Sequence, residues 1–172
     1  SNQAESFTND FHYTYQGKQH SLADYLSRQR VMGLMVVQGA QRWFEAYQYQ
    51  RTPSMRFLGH SFAKSMTSLA FGFALQEGVF SSLDIRSDTL ASALKGSVYG
   101  EATLRQLLHM SSGARFDDRY DGQGDTADFS RIAANEGIAA AAQSMQVREA
   151  ADGERFAYAS AQTSILSLAF QS

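Results

Sequence analysis

The hydrophobic positions follow a strand-like pattern in the first third of the chain. Residues 31–38 form an apolar run rich in Val and Met, and residues 41–50 contain four aromatic side chains. Two such runs joined by a two-residue connection with Gly39 are typical of an antiparallel β-hairpin. The aromatic residues of this region are therefore interpreted as strand packing rather than as a binding platform: Tyr13, Tyr15, Trp43, Tyr47 and Tyr49.

From residue 62 the spacing changes to that of a helix. Four apolar side chains recur at intervals of four, three and four residues and so share one helix face: Phe62, Met66, Leu69 and Phe73. We expect an amphipathic core helix that begins directly after Ser61.

Shorter helices are predicted by their capping residues. A capping box opens a helix at Ser21, which is expected to extend to about Arg28. A second capping box opens a helix at Thr103, and Gly113 is its expected stop.

The last third of the chain predicts two further helical regions. Residues 127–147 are rich in alanine and are expected to be helical with a break at Gly137. Ser160 is expected to cap a last helix. Strands do not alternate with these helices, so a parallel βαβ arrangement is not expected.

The composition is that of an ordinary globular domain. The 172 residues are 44% hydrophobic and 19% charged, which is sufficient for one domain with its own core. The net charge is -2 and the basic residues are scattered singly, so nucleic acid is not an expected partner. No apolar run approaches the ~20 residues that cross a bilayer, so no transmembrane segment is expected.

Cysteine is absent, which excludes disulfides, thiolate nucleophiles and Cys-based metal sites. The chain begins with Ser1 rather than Met, which indicates processing or trimming. An exported and a cytoplasmic location both stay open, as does the oligomeric state.

Ser61 and Lys64 form a Ser-x-x-Lys motif at the predicted start of the long helix. Residues three apart share a helix face, so a neutral lysine amine can take the serine proton while the hydroxyl attacks a carbonyl. The backbone amide of Ser61 is also suited to bind an oxyanion. The alternative interpretation of Ser61 is a simple helix cap.

The same spacing occurs a second time, at Ser92 and Lys95. No helical pattern follows Ser92 before Gly96. We therefore interpret the second motif as a coincidence and the first as the candidate nucleophile.

The sequence around Ser61 also resembles the Gly-x-Ser-x-Gly nucleophile elbow of α/β-hydrolases, except that Ala63 replaces the second glycine. That fold requires parallel strands before the serine and a later Asp and His. Only His109 follows Ser61, and a hairpin precedes it. This interpretation is kept as an alternative.

An acidic loop between residues 117 and 128 has a glycine where an EF-hand loop has one. Arg119 occupies a ligand position and Asp128 replaces the usual bidentate Glu, so a solvated lid loop is the favoured interpretation. His109 is interpreted as structural. The histidines show no ligand spacing: His12, His20, His60 and His109. No metal or cofactor is expected.

Four segments taken together resemble the serine β-lactamase-like and penicillin-binding-protein fold family. The likeness is to class C β-lactamases, their esterase relatives and 6-aminohexanoate-dimer hydrolases. It extends in order over almost all of residues 31–170. The segments are 57–64 (FLGHSFAK), 77–84 (EGVFSSLD), 107–113 (LLHMSSG) and 153–160 (GERFAYAS).

The resemblance implies roles for three residues. Ser61 would be acylated, Lys64 would assist as base, and Tyr158 would pass a proton to the leaving group. A tyrosine suits this task where a lysine ammonium lowers its pKa. Without the resemblance, Tyr158 is interpreted as an aromatic side chain packed beside a helix start.

The resemblance also implies a mixed α/β fold of the α+β type. An antiparallel sheet flanked by helices is joined to a helical lobe, with the active site between them. Residues up to about 60 would supply an N-terminal helix and the strand hairpin. Residues from about 61 to 172 would supply the nucleophile helix and the helical lobe.

Two departures from the family pattern bear on the substrate. Ser160 stands where the family commonly has Asn, which favours an ester or small amide over a β-lactam. Residues 116–120 resemble nylon-oligomer hydrolases, in which an acidic loop lies near the substrate. Asp118, Tyr120 and Ser160 are therefore the expected substrate-binding residues.

The Lys-Thr-Gly-like motif and the closing strands of the family lie further toward the C-terminus than Ser172. We therefore expect this chain to be the N-terminal part of a β-lactamase-like domain and to be inactive, or nearly so, on its own.

The expected function of the complete protein is that of a serine hydrolase. It would cleave a carboxylic ester or a small amide through an acyl-serine intermediate without a cofactor. Two alternatives are a penicillin-binding, sensor or scaffold protein of the same fold with little turnover, and an α/β-hydrolase with Ser61 in a nucleophile elbow.

Overall fold

A computed structural model describes residues 11–171 of the chain. The chain divides into two compact units, the first ending at Leu58 and the second beginning at Gly59. Among the described residues, none of the helices combines the length and the apolar character needed to cross a membrane.

The first unit contains two antiparallel hairpins and one helix. Strands β1 (His12–Tyr15) and β2 (Lys18–Ser21) form the first hairpin, and helix α1 (Leu22–Arg28) follows directly. Strands β3 (Gly33–Gln38) and β4 (Gln41–Tyr47) form the second. The second hairpin is the one that the hydrophobic pattern predicts, and its predicted location is confirmed.

Helix α1 begins as its capping box predicts. The Ser21 hydroxyl accepts a hydrogen bond from the Asp24 amide, and the Asp24 carboxylate accepts one from the Ser21 amide. Both interactions are local, so the sequence alone locates this helix. Tyr13 and Tyr15 lie in β1, in agreement with their interpretation as strand residues. The pairing of β1 with β2 was not predicted, because these four-residue strands are mostly polar and show no clear alternation.

The second unit is built from helices. Short 3-10 turns lie at Ser92–Leu94 and Ser167–Phe170. The α-helices are α2 (Phe62–Gln76), α3 (Ser87–Leu90), α4 (Val98–Glu101), α5 (Leu104–Leu108), α6 (Asp125–Glu136), α7 (Ile138–Ser144) and α8 (Ser160–Leu166). The break between α6 and α7 falls at Gly137, as predicted, with φ of 96°.

The core of the second unit lies on an unexpected side of α2. Phe71 is fully buried and stacks on Phe80 with ring centroids 5.4 Å apart. The apolar stripe that begins at Phe62 is more than half exposed. Phe71 lies about 180° around the helix from Phe62 at 3.6 residues per turn. The prediction that this stripe packs into a core is therefore wrong for the described part of the chain.

Helix α5 ends earlier than predicted. Its capping box at Thr103 is present, but the helix stops at Leu108 and not at Gly113. Met110 adopts φ of 55°, its amide donates to the Leu107 carbonyl, and the next amide, that of Ser111, donates to the Gln106 carbonyl. This pair of bonds is the Schellman motif, which normally uses glycine at the left-handed position.

Gly113 instead brings two loops into contact. Its carbonyl accepts hydrogen bonds from the amides of Glu149 and Ala150. A Cβ atom on Gly113 would lie 2.2 Å from the Ala150 carbonyl oxygen, and its φ is 72°. Both the backbone conformation and the close approach therefore require glycine at this position.

Gly113→Ala is expected to lower the free energy of unfolding by about 2–4 kcal/mol. Alanine is strained in the left-handed backbone conformation, and its Cβ would overlap the Ala150 carbonyl oxygen. Gly72→Ala is the matched control, because a Cβ there meets nothing within 4 Å. That substitution in a helix interior is expected to be neutral or stabilising by up to about 1 kcal/mol. Urea denaturation followed by circular dichroism measures both, and equal stability of the two variants would contradict this interpretation.

Candidate active site

Ser61 is the residue immediately before helix α2. Its hydroxyl makes no capping hydrogen bond, so the structure does not use Ser61 as a side-chain helix cap. Within residues 11–171 its backbone amide also has no hydrogen-bond acceptor. His60, directly before it, has φ of 42°, and this uncommon backbone conformation presents an exposed Ser61 at the start of the helix. The Ser61 amide is therefore available to a ligand, and the Ser61 hydroxyl is not used to cap the helix.

Lys64 lies one helical turn from Ser61, as the motif predicts. Its Nζ donates a hydrogen bond to Ser61 Oγ over 3.2 Å. The helical spacing fixes this pair, because side chains three residues apart point to the same side of α2.

Tyr158 reaches the same hydroxyl from a distant part of the chain. Tyr158 OH donates to Ser61 Oγ over 2.9 Å across a separation of 97 residues. Lys64 Nζ also lies 5.2 Å from the centroid of the Tyr158 ring. Ser61 Oγ thus accepts hydrogen bonds from both the amine and the phenol.

The segment that carries Tyr158 is held by the loop that follows α5. The Ala157 amide donates to the Met110 carbonyl over 2.7 Å, and the Gly153 amide donates to the Ser111 carbonyl over 2.7 Å. The buried Gln162 side chain donates to the Ala157 carbonyl over 3.3 Å. The segment 107–113 is thus the support on which the tyrosine segment rests.

The surroundings of Tyr158 shift its pKa. The hydrogen bond with Ser61, then the hydrogen bond and positive charge of Lys64, lower the pKa of Tyr158 below its ordinary value. Partial burial and the negative charge of Asp118 act in the opposite direction. A phenol whose pKa is lowered toward neutrality is a better proton-transfer group.

A second polar cluster lies beside Tyr158. Ser160 Oγ donates to Asp118 Oδ2 over 3.1 Å, and it also lies 3.0 Å from the Tyr120 hydroxyl. Asp118 Oδ1 accepts a hydrogen bond from Thr126 over 2.7 Å. Of the three residues predicted to bind substrate, Ser160 therefore contacts both of the others.

Ser160 does not cap the last helix as predicted. It is the first residue of α8, the capping position belongs to Ala159, and no side-chain cap bond is present. Its hydroxyl is directed to Asp118 instead. The bond to Asp118 does not by itself prevent capping, because the Ser21 hydroxyl both donates to the Asp24 carboxylate and accepts from the Asp24 amide. Ser160 lacks the cap bond because it lies one residue past the capping position.

The second Ser-x-x-Lys motif lacks the arrangement of the first. Ser92 opens a three-residue 3-10 turn, and the described contacts include no hydrogen bond between the side chains of Ser92 and Lys95. The backbone carbonyl of Lys95 instead accepts from Gln143.

Ser92→Ala is expected to leave the rate of acylation within about twofold of the unmodified protein, as for an ordinary exposed substitution. Measuring acylation with an activated ester checks this. A large loss of rate would mean that the wrong motif was chosen.

The acidic loop does not form a metal-binding cluster. Asp117 and Asp121 both lie beside Arg119, and Asp128 pairs with Arg131. In the part of the chain that the structure describes, no three His, Cys, Asp or Glu side chains converge on one point. His109 is exposed at the end of α5, and its amide donates to the Arg105 carbonyl.

Two supporting residues were missed by sequence reasoning. Thr126 fixes Asp118, and the Arg148 guanidinium joins the Ser112 carbonyl to Asp152 and Glu101. Neither has a local pattern, because their partners are distant in the sequence or lie in irregular loops.

Comparison with known proteins identifies the family. The family model described as Beta-lactamase matches residues 21–171. The chain belongs to the beta-lactamase family. The comparison with curated proteins gave no match.

A solved structure shows the same fold. The beta-lactamase-family chain is similar to "Putative 6-aminohexanoate-dimer hydrolase from Bacillus anthracis", with 21% sequence identity and a TM-score of 0.79. The likeness covers 95% of this chain and 46% of that one. The chain therefore spans a little under half the length of the solved protein.

These findings confirm the predicted family and fold class and exclude one alternative. An α/β-hydrolase requires parallel strands before its nucleophile, whereas the strands described before Ser61 are antiparallel. The nucleophile-elbow interpretation is therefore wrong. The beta-lactamase family supports the general class of serine hydrolases.

Proposed function

We propose that the complete protein is a serine hydrolase that cleaves a carboxylic ester or a small amide through an acyl-serine intermediate. The observation that supports this most strongly is the convergence of two proton-transfer groups on one exposed hydroxyl. Lys64 Nζ and Tyr158 OH lie 3.2 and 2.9 Å from Ser61 Oγ. An activated serine needs such partners within hydrogen-bond distance.

In the proposed acylation step, Ser61 Oγ attacks the substrate carbonyl carbon while neutral Lys64 accepts the serine proton. The carbonyl oxygen becomes an oxyanion, and the Ser61 amide, which has no acceptor within residues 11–171, is one donor that could receive it. When the tetrahedral intermediate collapses, Tyr158 gives its proton to the leaving oxygen or nitrogen. The tyrosinate then takes a proton from the Lys64 ammonium.

In the proposed deacylation step, water takes the place of the leaving group. One of its protons passes through Tyr158 and Lys64 while its oxygen attacks the acyl carbon. The carboxylic acid is released and Ser61 recovers its proton. Each proton that leaves a nucleophile is returned to a leaving group, so the cycle needs no cofactor.

The substrate preference is argued from Ser160. Its hydroxyl is already bonded to Asp118 and Tyr120, and a serine side chain is shorter than the asparagine of the family pattern. We propose that Asp118, Tyr120 and Ser160 line the substrate side of the site. This arrangement favours a plain ester or amide over the acylamino side chain of a β-lactam.

Pre-steady-state kinetics with the full-length protein test the proposal. A p-nitrophenyl ester is expected to give a burst of one nitrophenolate per protein followed by steady turnover, and a chromogenic cephalosporin is expected to give neither. A burst without turnover would point instead to a sensor of the same fold. No burst with esters, anilides or the cephalosporin would overturn the hydrolase proposal.

A further inference from the structure

The acidic loop is connected to the catalytic tyrosine segment through one carboxylate. Asp118 accepts from Thr126 with one carboxylate oxygen and from Ser160 with the other, over 2.7 and 3.1 Å. Ser160 is two residues from Tyr158 and is also bonded to the Tyr120 hydroxyl. Hydrogen bonds to both carboxylate oxygens hold Asp118 at a defined position against Ser160, two residues along the chain from Tyr158.

Asp118 differs from its acidic neighbours in the kind of partner it has. Asp117 and Asp121 lie next to the guanidinium of Arg119, and Asp128 pairs with Arg131. The ion pairs of residues 11–171 include none with Asp118, whose partners are hydroxyl groups. Its negative charge is thus oriented by hydrogen bonds but not neutralised by a cation, and it is half-buried, which limits screening by salt.

Two opposite charges therefore act on Tyr158. The Lys64 ammonium on α2 favours the phenolate and has the larger effect on the pKa of Tyr158, whereas the Asp118 carboxylate on the acidic loop favours the protonated phenol more weakly. Other charged groups close to Tyr158 in sequence have their own partners. Arg155 pairs with Glu149, and Glu154 accepts from the Ala151 amide.

We propose that Asp118 is a positioning residue that opposes Lys64 and keeps the Tyr158 hydroxyl protonated until the leaving group departs. The inference rests on the proposed function, because the proposed acyl-transfer step requires Tyr158 to hold a proton and then release it to the leaving group. A proton donor must carry its proton at the working pH and still give it up readily. Lys64 makes the proton easier to release, and Asp118 helps the phenol to keep it until then.

Tyrosine NMR tests this without relying on turnover. Full-length protein is labelled with ¹³C at the tyrosine Cζ, the Tyr158 signal is assigned with Tyr158→Phe, and its titration midpoint is measured. Asp118→Asn removes the charge but keeps the size and one acceptor oxygen. Asp117→Asn, one residue away and beside Arg119, is the matched control with the same change of net charge.

The expected result is a midpoint that moves to lower pH in Asp118→Asn and stays in place in Asp117→Asn. Ser160→Ala is expected to move it in the same direction by less, because the carboxylate keeps its charge but loses one of its anchors. This second variant gives a result even where Asp118→Asn fails to fold.

Lys64→Met separates failure of the inference from failure of the proposed function. It is expected to move the midpoint to higher pH. A shift in Lys64→Met together with unchanged midpoints in Asp118→Asn and Ser160→Ala would overturn the role of Asp118 and leave the proposed function standing. A midpoint that none of the variants moves would overturn both.

Discussion

Ser61→Ala is expected to abolish acylation of the full-length protein. The variant lacks the oxygen on which Lys64 and Tyr158 converge, and neither partner can replace it as nucleophile. Loss of a catalytic serine reduces turnover by roughly 10⁴-fold or more in serine hydrolases that form acyl-enzymes. Rapid-quench mass spectrometry with an activated ester is the measurement, and the acyl adduct is expected to be absent.

The same variant also tests the alternative interpretation of Ser61 as a helix cap. Removal of a genuine serine cap costs about 1 kcal/mol of stability. Because the Ser61 hydroxyl makes no cap bond, the free energy of unfolding is expected to change by less than about 0.5 kcal/mol. A variant that is clearly destabilised but still acylated would contradict both statements.

Lys64→Ala is expected to slow acylation by about 10²–10⁴-fold, the range for loss of a positioned general base. The hydroxyl of Ser61 remains, but its proton then has no amine acceptor at 3.2 Å. Single-turnover kinetics with an activated ester measure the rate, and circular dichroism checks that the fold is kept.

Lys95→Ala is the matched control for this prediction. It removes the same side chain from the second motif, where the described contacts include no bond to the neighbouring serine side chain. Its acylation rate is expected to stay within about twofold, as for an exposed substitution. Equal losses in the two lysine variants would mean that general charge, rather than the geometry at Ser61, determines the rate.

The parts of the fold that depend on local interactions were predictable. The capping box of α1 lies within four consecutive residues, and the break at Gly137 needs only a residue that tolerates positive φ. The end of α5 was missed because Met110 takes a conformation usual for glycine. The exposure of the stripe that begins at Phe62 was missed because periodicity shows that residues share a face but does not show what covers it.

The candidate site also contains some residues that the local sequence predicts and others that it does not. The proximity of Ser61 and Lys64 follows from helix geometry alone, since their positions differ by three in the sequence. Tyr158 is 97 residues from Ser61 and was proposed only through resemblance to the family. Thr126 had no signal, because its role depends on a loop that places Asp118 against it.

The most direct test of the central claim is labelling of the full-length protein with a fluorophosphonate, followed by intact-mass measurement and peptide mapping. A single adduct is expected on Ser61, and it is expected to be lost in Lys64→Ala. No adduct on a folded sample, or an adduct on Ser92 in place of Ser61, would contradict the assignment of Ser61 as an activated nucleophile.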